Sequence, residues 1–369
     1  MNRWATTKSE TVPALVKQLK DAGVAEVTVA ESGFIGYDVT AQLKESGMKK
    51  AVEKAGGKVF DLDRGAFEKR KLNEGTYVEI AKKVLDADFI INMPIMKTHF
   101  LTKVSLGIKN LKGAISPNSK KVFHKKDVDT LLGYLCREIK PHLTIVDGLV
   151  GYEGLGPLVF GSPKKIGIVI AGTEPVSVDA VAAAVMGQDA KDIEHIRIAA
   201  ELGLREIDLD KIEIRGVELE RVKHAFDPSP LGAHHMINMI GIDGLRYFGW
   251  QPRDGASECS GCIGNIASAL AAIRSDTDHI DRNIDIVVDP RGLPQDAGEN
   301  LLLFGNCQAK HKNHGAYLPG CPPSIKNTYA TIAKLSLSKK HYMTALRKRM
   351  FKGQRITPLD SWEKYRNVV

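Results

Sequence analysis

The chain has 369 residues, 43% of them apolar and 26% charged, which suits a globular protein of two or three domains and excludes a low-complexity or fibrous chain. It holds no run of 18 or more apolar residues and opens on MNRWATTKSE without an apolar signal segment, so neither a membrane-spanning helix nor export is expected. The net charge of +8 gathers in two places. Eight lysines and no acid lie between Lys97 and Lys126, and Lys339, Lys340, Arg347, Lys348, Arg349 and Lys352 follow near the end. Basic groups attract nucleic acid, anionic membranes, acidic protein partners or anionic small molecules, and the lack of interleaved aromatic residues makes nucleic acid the weaker of these.

In chain order, TVPALVKQLKDAG has helical spacing and stops at Gly23, and AEVTVAESG reads as a strand. VTAQLKESGMKKAVEKAGG predicts a helix broken near Gly47, followed by the strand KVFDLD. YVEIAKKVLDA predicts a further helix leading into the strand DFIINMPIM. HLTIVDGLV and KIGIVIAGTEP read as strands, SVDAVAAAVMG as a small-residue helix and KIEIRGV as another strand. Alternating helices and nearly continuous apolar strands imply an α/β fold with a mostly parallel, Rossmann-like sheet covered on both faces. From residue 225 to 258 Pro and Gly break the period, which places a boundary near Pro228. Beyond it come the helix CSGCIGNIASALAAI, the strands NIDIVVDP and NLLLFGNC, and the helix PPSIKNTYATIAKL, a smaller α/β unit. The expected division is therefore an α/β domain over 1–228, a cysteine-bearing domain over 229–335 and a basic amphipathic tail over 336–369 that suits docking on its own protein above an acidic electron-transfer partner or a membrane surface.

Five cysteines are present, and Cys136 sits at helical spacing in LLGYLCREIK as a core thiol. The other four, Cys259, Cys262, Cys307 and Cys321, fall at helix starts and strand ends, which share one edge of a parallel sheet. Few and clustered, they argue against a secreted disulfide framework and for a reducing, cytoplasmic setting. Four thiolates suit a 4Fe–4S cluster, a structural zinc ion, or a redox dithiol at Cys259 and Cys262 alone. The separation of thirteen residues between Cys307 and Cys321 departs from paired zinc knuckles, and the Gly-Cys-Pro-Pro turn at Cys321 is of the Cys-Pro type seen after cluster ligands, so spacing favours the cluster.

FGNCQAKHKNHGAYLPGCPPSI is similar to the end of the cluster site in the small subunits of nickel–iron hydrogenases and respiratory complex I, where the Gly-Cys-Pro-Pro cysteine binds a 4Fe–4S cluster. DFIINMPIMKTHFLTKVSLGIKNLKGAI, HLTIVDGLVGYEGLGPLVFGSPKKIGIVIAGTEPVSVDAVAAAVMG and LGLREIDLDKIEI together resemble the domain of unknown function 362 family over roughly residues 10–220. That resemblance implies a Rossmann-like α/β domain, often coupled to iron–sulfur modules, without a settled reaction.

In the larger domain, Lys97, His99, Lys103, Lys109, Asn110 and Lys112 follow a strand and suit an anionic substrate, with His124, Lys125 and Lys126 extending the field. Asp147 with Gly148, Glu153 with Gly154, Gly156 and Pro157, and Thr173, Glu174, Pro175 and Asp179 also follow strands. Of these, Asp147 and Glu153 are the candidate acid–base or metal groups, weighed against ordinary turn carboxylates. His234 and His235 are adjacent and point apart, whereas His311 and His314 lie between two cluster candidates. Lys97, His99, Lys109, Asp147 and Glu153 are thus the expected catalytic set. The expected function is a 4Fe–4S redox protein, an electron carrier or an oxidoreductase acting on an anionic substrate with an electron-transfer protein as partner. The alternatives are a non-redox enzyme or binding protein with structural zinc, and a hydro-lyase-like enzyme with substrate on the cluster. Assembly as a homo-oligomer is compatible with all three.

Overall fold

The computed structural model describes residues 10–33, 38–156, 160–229, 237–238, 240–249, 259–277, 279–289 and 292–352. Contacts divide the chain into two compact units, Met1–Ser229 and Pro230–Val369. Helices alternate with strands that pair mostly in parallel, an α/β fold. His234, His235 and Pro157 lie outside the described residues.

The larger unit is built around the strand Leu143–Leu155, which pairs in parallel with Ile91–Asn92 and Ile95–His99 on one side. On its other side it pairs antiparallel with Phe160–Gly172. That second strand alternates half-buried and exposed positions from Ser162 to Gly172, so KIGIVIAG is a one-face-solvated antiparallel strand, not the buried parallel strand its apolar run suggests. The helix Val128–Ile139 buries Val128, Leu131, Leu132, Leu135, Cys136 and Ile139, a stripe at helical spacing, and Asp127 caps it by accepting from the amides of Asp129 and Thr130. The Pro175–Val185 helix is buried almost throughout, as its small residues permit.

The smaller unit carries a four-stranded parallel sheet in sequential order, Leu245–Phe248, Ile284–Val287, Leu301–Phe304 and Ala316–Leu318. Every residue of the two middle strands is buried, as a parallel sheet covered on both faces requires. The helices Ser260–Thr277 and Ile325–Ser336 pack against each other, and the Lys339–Lys352 helix packs on both within the same unit, with Ala345 fully buried.

Two elements differ from their sequence pattern. TYVEIA forms the strand Thr76–Ala81, with only Lys82–Leu85 helical after it. Its buried Thr76, Val78 and Ile80 alternate with exposed Tyr77 and Glu79, and it pairs antiparallel with Phe67–Asn73, so cross-strand pairing overrides the helical spacing of YVEIAKKVL. KIEIRGV forms no strand: after the short 3-10 turn Leu209–Lys211 the chain runs irregularly, with Ile214 exposed. Among the described residues no strand pairs with the segment, and β propensity alone does not hold a strand.

Leu303 is fully buried in the middle of the small sheet. Leu303→Ala should destabilise this unit by about 2–5 kcal/mol through lost burial and a residual cavity, read as a lower midpoint in urea denaturation.

Candidate functional site

The four clustered cysteines occupy the carboxyl-terminal edge of the small sheet. Cys259 and Cys262 open the Ser260–Thr277 helix, where the carbonyl of Cys259 accepts from the amides of Cys262 (2.9 Å) and Ile263 (3.2 Å). Strand Leu301–Phe304 runs out through Gly305 and Asn306 to Cys307, and strand Ala316–Leu318 runs out through Pro319 and Gly320 to Cys321. The two loops are clasped together. The Asn306 amide donates to the Gly320 carbonyl at 2.8 Å, and the Gly320 amide donates to Asn306 Oδ1 at 2.8 Å. Asn265, one turn into the helix, donates to the carbonyl of Pro323 at 2.7 Å and ties the helix to the second loop.

Both glycines in these loops are required by shape. Gly305 has φ +84° and Gly320 φ +141°, conformations that side chains disfavour. A Cβ on Gly305 would lie 3.9 Å from Cys262 Sγ and 3.5 Å from the Gly320 carbonyl oxygen, which places the Cys262 sulfur beside the first of these loops. Cys262 is buried, and its thiol is held well above the usual thiol range by its hydrogen bond with Cys259, by burial, and by the nearby Cys259, Cys307 and Cys321. A positive ion among the four sulfurs would relieve this opposition to ionising Cys262. Their donor set and glycine-lined cradle fit a thiolate-bound metal group. Cys136, by contrast, is buried in the large core and pushed up to about 12, the behaviour of an inert thiol.

In the larger unit the basic run folds back on itself at the end of strand Ile95–His99. His99 and His124 are buried, and Lys112 Nζ lies 2.7 Å from His124 Nε2. Lys109 Nζ donates to Thr102 Oγ1 at 2.8 Å. His99 Nδ1 accepts from the Leu101 amide at 3.0 Å, which leaves the ring proton on Nε2. Burial first, and then Lys109, Lys112, Lys97 and His124, hold His99 well below the usual imidazole range. Burial and Lys112 likewise lower Lys109, and burial lowers Lys97 to about 8, with Glu31 opposing. Like charges brought together under cover disfavour their own protonation, and an anion placed among them would reverse that.

Not every basic residue of the run joins this cluster. Lys120 donates to Ser32 Oγ (2.8 Å), the Gly33 carbonyl (3.0 Å) and Asp63 (3.1 Å), an interior tie to the amino-terminal segment. Lys103 donates to the Asp192 carbonyl, Lys126 to Gly75 and Thr76, and Lys125 is exposed. Asn110 donates to Asn92 Oδ1.

The two candidate carboxylates have structural duties. Asp147 is buried and accepts from Thr11 Oγ1 (3.0 Å) and the Leu149 amide (3.1 Å). Glu153 pairs with Lys164 at 2.8 Å and accepts from the Asp227 amide at 3.0 Å. Glu174 pairs with Arg205. Asp179 is the carboxylate that shapes the basic cluster. Wholly buried, it accepts from the amides of Gly107 (2.6 Å) and Ile108 (2.8 Å) and so sets the Gly107–Asn110 turn that carries Lys109. A Cβ on Gly107 would meet Asp179 Oδ1 at 2.7 Å. Gly156 makes a second close approach, where a Cβ would meet the Thr98 carbonyl oxygen at 2.6 Å. His311 is half-buried and its carbonyl accepts from the amide of His314 at 2.9 Å.

Sequence reasoning did not single out Thr102, Asn306 or the pair of buried His195 with half-buried Asp129, 2.9 Å apart, because each acts through partners remote in sequence or through the backbone.

Residues 1–184 match the family model described as Domain of unknown function (DUF362), a match that lies in the larger unit and ends before the clustered cysteines. A stretch of 134 residues is 30% identical to Thylakoid-associated protein sll1697 of Synechocystis sp., covering 35% of this chain and 41% of that protein. The chain thus spans about two fifths of the length of the curated relative it matches.

Burial raises Asp179 to about 7 against the two amide hydrogen bonds. A carboxyl group whose folded-state value lies above its unfolded value near 4 binds more protons when folded, so its contribution to stability falls as pH rises between about 4 and about 7. Asp179→Asn should remove that component, flattening the unfolding free energy measured by urea titration across this window.

Proposed function

We propose that the smaller unit holds a 4Fe–4S cluster through Cys259, Cys262, Cys307 and Cys321, and that the protein carries electrons or performs reductive chemistry with an anionic substrate at the basic cluster of the larger unit. The convergence of four thiols on one sheet edge, two from a helix start and one from each of two loops, carries this reading. A bound cluster supplies one-electron exchange, and four cysteine ligands leave it saturated, which favours electron transfer over chemistry at an open iron. The chain's own contribution is the frame. Asn306 and Gly320 hold two ligand loops together, Asn265 anchors the helix to one of them, and burial of Cys262 shields that sulfur from water. Lys97, Lys109, Lys112 and His124 would bind the anion, and His99, with its proton on Nε2, would donate a hydrogen bond to it. An acidic electron-transfer protein is the partner class that the net positive charge suits, and a reducing cytoplasm is the setting that keeps thiols available as ligands. No helix among the described residues is long and apolar enough to cross a membrane.

Structural zinc on the same four thiols is the competing reading, because the donor set alone also satisfies a tetrahedral site. Protein purified without oxygen should contain about four iron and four sulfide per chain and give a paramagnetic signal on dithionite reduction that Cys321→Ser loses. Stoichiometric zinc without sulfide would decide for the structural site.

The basic cluster is tested separately with sulfate, whose charge is constant above neutrality. Lys112→Ala should weaken sulfate binding about tenfold or more. In the intact protein, affinity should fall as pH rises through about 8, where Lys97 loses its proton. Isothermal titration across pH 6–10 measures both.

A further inference from the structure

We propose that His279, Asp281 and His341 form a separate metal site for a zinc-class divalent ion, which fastens the first turn of the Lys339–Lys352 helix to the loop before strand Ile284–Val287. One donor atom from each of the three side chains lies within 4.8 Å of the other two. His341 Nδ1 is 2.8 Å and His279 Nε2 is 3.5 Å from the same carboxylate oxygen, Asp281 Oδ1. Nitrogen and oxygen ligands about 2.0–2.2 Å from a tetrahedral zinc ion stand roughly 3.3–3.6 Å apart, so small side-chain adjustments bring the three donors onto one ion.

The surroundings hold the carboxylate in place. Asp281 Oδ2 accepts from the Ser338 amide at 2.6 Å, the Asp281 amide donates to the Ser336 carbonyl at 2.8 Å, and the His341 amide donates to Ser338 Oγ at 3.3 Å. Such outer contacts orient ligands in metal sites. The two imidazole rings meet edge to face with centroids 4.9 Å apart. All three side chains reach solvent, with 57%, 22% and 34% of His279, Asp281 and His341 exposed, so an ion has access and water can take a fourth position. Two imidazoles and one carboxylate select zinc, cobalt or nickel over magnesium or calcium, which need more oxygen ligands. Lys339 and Lys340 on the same turn disfavour a site relying on charge alone, which again favours imidazole-bound ions.

The cluster reading neither supports nor requires this site, since the two use different residues. Protein with its cysteine-bound group in place is titrated with Co2+, whose absorption separates thiolate ligands, with strong sulfur-to-metal bands in the near ultraviolet, from nitrogen and oxygen ligands, with weak visible bands alone. One equivalent with weak visible bands is expected, lost in both His279→Ala and His341→Gln. Addition of Zn2+ should slow amide exchange of residues 339–345 in the intact protein and not in His279→Ala, a variant that keeps the His341–Asp281 bond and hence the helix start. An unchanged equivalent in both variants would overturn the proposal. So would an equivalent that shows sulfur bands and disappears in Cys321→Ser.

Discussion

Strands that run in parallel deliver their carboxyl ends to one edge, and the smaller unit depends on this constraint. Its chain leaves the sheet at that edge after Phe304 and again after Leu318, and it begins the Ser260–Thr277 helix nearby. Cys262 and Cys321, 59 positions apart, thereby reach one another electrostatically. The reciprocal hydrogen bonds between Asn306 and Gly320 then convert an approximate meeting into a defined one. Antiparallel pairing of the same segments would send successive ligand loops to opposite ends.

The two units face the same electrostatic difficulty with opposite signs. The neighbouring sulfurs and burial oppose ionisation of Cys262, and burial with the neighbouring lysines opposes protonation of His99. Each group is an arrangement that burial makes costly and that a partner of opposite charge relieves. Asp179 takes part in neither charge balance, yet it decides the second arrangement, because its two amide contacts set the turn from which Lys109 reaches Thr102.

Helical spacing in LLGYLCREIK found both the helix Val128–Ile139 and the burial of Cys136, because a long amphipathic stripe admits one solution. It failed at YVEIAKKVL, where Val78 and Ile80 suit either period and the neighbouring strand Phe67–Asn73 made the choice. KIEIR failed in the opposite sense, for a strand-forming composition with no pairing strand among the described residues remains irregular. Among candidate residues, the lysine run was legible as a charge. Its division into a cluster around Lys109 and Lys112 and interior ties such as Lys120 was not, because Asp63 and Ser32 lie far away in the chain.

The amino-acid sequence by itself determined the α/β class, the break near residue 228 and the positions of the four cysteines at strand ends and helix starts, since these follow from local periodicity and turn chemistry. Only the tertiary structure decided which carboxylates are engaged, with Asp147 held by Thr11 and Leu149, Glu153 by Lys164, and Asp179 by two backbone amides. It also brought His279 and Asp281 to His341, from segments that no local pattern relates. A side chain's type limits the bonds it can make, whereas the partner it meets is set by how distant segments pack.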